Sequence, residues 1–209
     1  MTITADHIRT TIAVYLDEHP EDKRELGVVL GLLDDGDDLT RRKTLPGHVT
    51  AGAILVGPDG RILHILHNAT QKWLLPGGHL EASDGTLLQA AGRELAEETG
   101  IPPHVVTPHG ETPLHIDIHP IDANPAKVEP AHQHFDFRFL FHTTADIGEL
   151  QIEEVSDAAW RDIDQITDPQ LRSRIAATLR HRRENHGDHE FLRHHGHGDL
   201  LCGRVRGRR

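Results

Sequence analysis

The chain has 209 residues, 36% of them hydrophobic, and a net charge of −11 with histidine neutral. That length holds one sizeable domain with additions, and the acidic balance speaks against general nucleic-acid binding. A single cysteine, Cys202, excludes an intramolecular disulfide and a cysteine-based zinc cage, while nineteen histidines ask for individual explanation.

The first twenty residues carry neither a basic segment nor an apolar one of the kind a secretory leader needs. No run approaches the roughly 18 apolar residues of a membrane span. The expectation is a cytoplasmic protein with no membrane partner.

Residues 4–39 predict two amphipathic helices. The first carries Ile8, Ile12, Val14 and Tyr15. The second starts at Pro20 and Glu21 and carries Leu26, Val29, Leu30, Leu32 and Leu33. They read as a helical hairpin serving as scaffold or homodimer contact. A basic connection (Arg41, Arg42, Lys43) leads to strands. Val49–Val56 and Arg61–Leu66 form a hairpin around Gly57-Pro58-Asp59-Gly60, where Pro presets φ and Gly accepts positive φ. Lys72–Leu75 is a short strand running into a Pro76-Gly77-Gly78 turn.

A helix follows, with Ser83 or Asp84 as N-cap candidates and a buried stripe of Leu88, Ala91 and Leu95. Gly100, Pro102 and Pro103 stop it. Its last turns place Glu94, Glu97 and Glu98 on one face. Like charges at that spacing repel, and carboxylates at a helix C-terminus oppose the macrodipole by roughly 0.3–1 kcal/mol each. A solvated acidic face is the bland explanation. A set of hard oxygen ligands for Mg²⁺ or Mn²⁺ explains the cost better.

Beyond the helix, Leu114–Ile121 alternates as a half-buried strand. The clearest strand runs from His132 to His142, with Phe135, Phe137, Phe139 and Phe141 on one face and His132, His134, Asp136, Arg138 and His142 on the other. The phenylalanines mark core. The polar face reads either as solvent-facing surface or as the wall of a phosphate-binding cleft, with Arg138, His134 and His132 as substrate contacts and Lys127 nearby. A last amphipathic helix, from Pro169 to about Arg183, carries Leu171, Ile175, Ala176 and Leu179. From His181 onward the chain holds six histidines and seven arginines and ends in Gly-Arg-Val-Arg-Gly-Arg-Arg, a composition that predicts disorder. The expected organisation is a helical extension over residues 1–45, a main domain over 46–183 and a tail over 184–209.

Arg93-Glu94-Leu95-Ala96-Glu97-Glu98-Thr99-Gly100-Ile101 resembles the second half of the Nudix box, G-x5-E-x7-R-E-U-x-E-E-x-G-U with U aliphatic, at every fixed position. The first half departs from that pattern. After five intervening residues from Gly78 stands Asp84 in place of glutamate, and eight residues rather than seven separate it from Arg93. Asp84 is the nearest substitute, and Glu81 is a second candidate out of register. Trp73-Leu74-Leu75-Pro76-Gly77-Gly78 is also usual for the family.

The resemblance spans roughly Gly47 to Trp160. It implies an α/β/α sandwich around a mixed sheet and metal-dependent hydrolysis of a diphosphate linkage in a nucleoside diphosphate derivative or related metabolite. The implied catalytic set is Arg93, Glu94 and Glu97. The implied metal set is Gly77 through its carbonyl, Glu94, Glu97, Glu98 and Glu154, with Glu153 competing for the last place. Glu94 is a base, a ligand or both, and Arg93 orients carboxylates. His79, beside Gly78, is read as a structural turn histidine. The alternative is a non-catalytic Nudix-fold nucleotide or metabolite sensor.

Overall fold

The structure, a computed structural model, describes residues 2–68, 70–125, 128–144 and 155–193, with side chains described as far as residue 182. The helical hairpin consists of α1 (Ala5–Glu18) and α2 (Lys23–Asp34), joined through a 3₁₀ turn at Pro20–Asp22 rather than by a helix starting at Pro20. Pro20 has no N–H to lose in that first turn. The strands are β1 (Gly47–Val56), β2 (Ile62–His67), β3 (Lys72–Leu74) and β4 (Gly77–His79). Helix α3 (Leu87–Thr99) follows, then β5 (Val106–Pro108), β6 (His115–Ile121), β7 (His132–Thr143) and β8 (Val155–Arg161), and finally α4 (Pro169–Arg193).

These strands form one mixed sheet in the order β3-β2-β1-β7-β5, with β4 also on β1, β6 on β7 and β8 on β2. The central pair, β1 and β7, is parallel and in register from Gly47↔Gln133 to Val56↔His142. Both strands are buried over most of their length, as parallel strands covered on two faces must be. One face carries Val49, Ala51, Ala53, Leu55 and the four phenylalanines. It packs under α3 and the N-terminal hairpin through Leu87, Ala91, Leu95, Ile8, Ile12 and Val29. Burying each of these large side chains is worth roughly 1.5–3 kcal/mol before entropy is counted. The other face packs Ile54, Val56 and Leu140 against Leu171 and Ile175 of α4. The expected α/β/α sandwich is therefore present.

The hairpin is built into that core. Arg174 of α4 donates to Tyr15 Oη, to His115 Nδ1 (2.8 Å), to Glu21 (2.9 Å) and to Asp22 (2.9 Å). Tyr15 Oη in turn donates to Asp22. Burial, then the Asp22 hydrogen bond, raises the Tyr15 pKa well above its usual value.

Several local expectations are corrected. The helix N-cap is Thr86, whose Oγ1 accepts from the Gln89 N–H at 3.1 Å, and not Ser83 or Asp84. Asp84 is occupied elsewhere, as described below. Gly77-Gly78-His79 is a strand paired with Gly52, Ala51 and Thr50 rather than a turn. Glycine permits this, since a Cβ on Gly77 would lie 2.7 Å from Gly52 Cα and 2.9 Å from the Ala51 carbonyl oxygen. The three-residue β5 ends in proline and has no sequence pattern to announce it. Helix α4 continues ten residues past Arg183, and the predicted tail beyond it, 194–209, lies outside the described residues.

Candidate metal centre and polar sheet face

The C-terminal turns of α3 are held by Gly100. It adopts φ 66°, the left-handed conformation that glycine takes without penalty, and its N–H closes on the Ala96 carbonyl at 2.8 Å. This fixes Arg93, Glu94, Glu97 and Glu98 against β4. Glu98 is buried and accepts the Gly77 N–H at 2.8 Å. Glu94 lies directly on Gly78, where a Cβ would meet its carboxylate at 2.7 Å. That close approach is the physical reason for glycine there. Burial pushes the Glu94 pKa up to about 7, against the opposing pull of Arg93. Glu97 is the exposed member.

Arg93 is the hub. Its Nε and Nη2 each reach an Asp84 oxygen at 3.0 Å, Nη1 reaches Glu94 at 3.0 Å and Glu97 at 2.8 Å, and Nη2 also donates to the His79 carbonyl at 2.9 Å. Asp84 is buried and also accepts the Glu81 N–H at 2.7 Å, while the Glu81 side chain stays at the surface. The geometry thus puts Asp84, and not Glu81, against the arginine. One guanidinium is paired with three carboxylates and Glu98 is a fourth on the same helix end, so the centre carries excess negative charge. Oxygen donors from Glu94, Glu97, Glu98 and the Gly77 backbone match the chemistry of a hard divalent cation. Glu153, Glu154 and Lys127 lie outside the described residues.

On the opposite sheet face, strand register collects polar side chains. Arg138 is paired with Asp136 (2.7 Å) and Asp117 (2.9 Å), and Asp136 also accepts from Thr50 at 3.0 Å. Burial alone would raise the Asp117 pKa. The His119 hydrogen bond and the Arg138 charge outweigh it and hold Asp117 down at about 2. Arg138 is therefore present where expected, though already shared between two carboxylates.

His134 and His132 meet two histidines that the sequence reading did not join to them. His48 of β1 stands opposite His134, and His79 of β4 stands opposite Thr50. The His48 ring lies 5.1 Å from His79, 4.9 Å from His132 and 4.8 Å from His134. Burial, then the neighbouring groups, drives the His134 pKa down to about 3 and that of His79 to about 4. These rings are neutral at pH 7, which disfavours holding a phosphate with a protonated His134. The registers of β7 and of β4 on β1 bring this cluster together, and no local pattern reveals it.

A NUDIX domain model matches residues 46–181. The chain belongs to the Nudix family. A probable DHNTP pyrophosphohydrolase of Lactococcus lactis is 31% identical to this Nudix chain over 132 residues, covering 62% of the chain and 75% of that protein. The phosphatase NudJ of Escherichia coli is 46% identical over 67 residues, covering 30% of the chain and 42% of that protein. The chain thus spans less than half of NudJ. Among solved structures, an Ap4A hydrolase from C. elegans is 19% identical, with a TM-score of 0.48, over 63% of the chain and 96% of that protein. The Nudix match makes the protein a hydrolase of that family acting on small molecules. No described helix is long and apolar enough to cross a membrane.

Proposed function

We propose that this Nudix hydrolase cleaves the diphosphate linkage of a nucleoside diphosphate derivative or related metabolite, with Mg²⁺ or Mn²⁺ at the end of α3. The observation that carries the reading is the arrangement of three carboxylates, Asp84, Glu94 and Glu97, on Arg93, with Glu94 seated on Gly78 and Glu98 on the Gly77 N–H. Such a cation, when bound, supplies charge neutralisation for the phosphates and makes water more acidic.

In this reading Glu97, Glu98 and the Gly77 carbonyl hold the cation. Glu94 shares in that and accepts the proton of the attacking water. Arg93 does not touch substrate. It fixes Asp84, Glu94, Glu97 and the His79 carbonyl in one frame, as a bidentate guanidinium can and an ammonium cannot. Glu154 is kept as an outlying ligand, with Glu153 as its competitor. Arg138 and its two aspartates form the wall of the substrate cleft. The setting is cytoplasmic.

A panel of nucleoside diphosphate derivatives and nucleoside triphosphates tests the reading, incubated with Mg²⁺, Mn²⁺ or EDTA and read by phosphate release and product mass. Dihydroneopterin triphosphate belongs on it, since the Lactococcus relative is named for that substrate class. The expected result is metal-dependent cleavage of a P–O–P bond in at least one member. Tight nucleotide binding with no turnover in any metal would overturn the reading in favour of a sensor.

A further inference from the structure

His48, His79 and His134 come from three different strands and present their rings on one sheet face. One nitrogen from each ring lies within 4.8 Å of the others. His48 is 1% exposed, and neither of its ring nitrogens has a hydrogen bond of normal geometry, only a loose approach to the Thr44 backbone. His79 Nε2 is likewise buried without a partner. Buried polar atoms are rarely left so, because each costs roughly 1–3 kcal/mol. Here two neighbouring rings, His48 and His79, hold such atoms.

We propose that His48, His79 and His134 bind a divalent cation of the zinc class, at a site separate from the carboxylate centre of α3. The donor set decides the class. Three imidazoles with no carboxylate among them suit Zn²⁺ or Co²⁺ and do not suit Mg²⁺. Nitrogens around a tetrahedral ion at ~2.05 Å sit ~3.3 Å apart, so the rings close by ~1.5 Å through side-chain rotation. The ladder of β4, β1 and β7 stays as it is.

His132 supplies the outer support that ligand histidines need. Its Nδ1 donates to the Pro130 carbonyl at 2.9 Å, and its Nε2 is then an acceptor 3.3 Å from His134 Nε2. A His134 ring that donates there keeps its other nitrogen for the ion. His79 links this site to α3, since its carbonyl is held by Arg93 while its ring points to the trio. The inference stands independently of the hydrolytic reading.

The test uses the full chain, stripped with a chelator and titrated with Co²⁺, then with Zn²⁺ as competitor. The expected result is one equivalent of an intense visible Co²⁺ band that Zn²⁺ displaces. His48→Asn and His134→Asn lose the band, and Glu97→Gln and the surface variant His104→Asn keep it. Far-UV circular dichroism checks that each variant is folded. One equivalent of Zn²⁺ should also raise the melting temperature of the unsubstituted protein by at least about 4 °C, because an ion joining three strands binds only the folded state. Binding by scattered histidines elsewhere gives no such rise. Absence of the intense band, its survival in folded His48→Asn and His134→Asn, or an unmoved melting temperature would each overturn the proposal.

Discussion

Arg93 reaches Asp84 through two parallel hydrogen bonds, Nε to Oδ1 and Nη2 to Oδ2, both at 3.0 Å. The carboxylate that departs in type and spacing from the Nudix pattern is thus the one gripped by the hub arginine. Asp84→Asn should cost about 1–3 kcal/mol of stability in urea unfolding, because it breaks a buried fork while Glu94 and Glu97 still pair with Arg93. Glu81→Ala should stay within about 0.5 kcal/mol of the parent.

The two glycines of β4 should fail differently. Gly77→Ala drives a methyl into backbone of β1, so it should destabilise the fold by about 2 kcal/mol or more. Gly78→Ala meets first the far end of the Glu94 side chain. It should melt within a few degrees of the parent while losing about 10-fold or more in kcat. Melting curves and steady-state kinetics on the same preparations separate the two.

Arg174 joins the hairpin to α4. Arg174→Met leaves the buried Asp22 with only Tyr15 and Gln170 as partners. Unfolding in urea should show a loss of about 2–4 kcal/mol. Adding Asp22→Asn should cost less than the sum of the single losses, since both act on one network.

Acid should weaken the fold in the histidine range. His142 has its pKa pushed down to about 4 in the folded protein, by burial first and then by Arg182 and His109, from an ordinary value of 6.5. Below 6.5 the unfolded chain takes up a proton that the folded one refuses. Stability is therefore full above pH 6.5 and is lost as pH falls towards 4. His64, also depressed by burial, acts in the same direction. Between pH 7 and pH 5 His142 alone should account for roughly 1–2 kcal/mol. His142→Gln should flatten the pH dependence of the urea midpoint by that amount.

Local chemistry made the α3 centre legible. The Arg93–Ile101 run, the Gly100 stop and the alternation of phenylalanines on β7 are each contained in a short stretch. What local pattern could not show was register. The parallel pairing of His48 with His134 joins residues 86 positions apart, and the placement of His79 depends on β4 being a strand. The choice between Asp84 and Glu81 also needed the fold, because it rests on which carboxylate the buried arginine reaches. The N-cap falls beyond both sequence candidates because Thr86 offers the same hydroxyl chemistry as Ser83, and Asp84 is engaged by Arg93.

The most direct measurement of the central claim is the initial rate of diphosphate cleavage against Mg²⁺ concentration, for the parent and for Glu98→Gln, on the best substrate of the panel. The expected result is a saturable Mg²⁺ dependence in the parent and a loss of at least about 100-fold in Glu98→Gln, whose fold is confirmed by its melting curve. A rate unchanged by EDTA, or retained in folded Glu98→Gln, would contradict it.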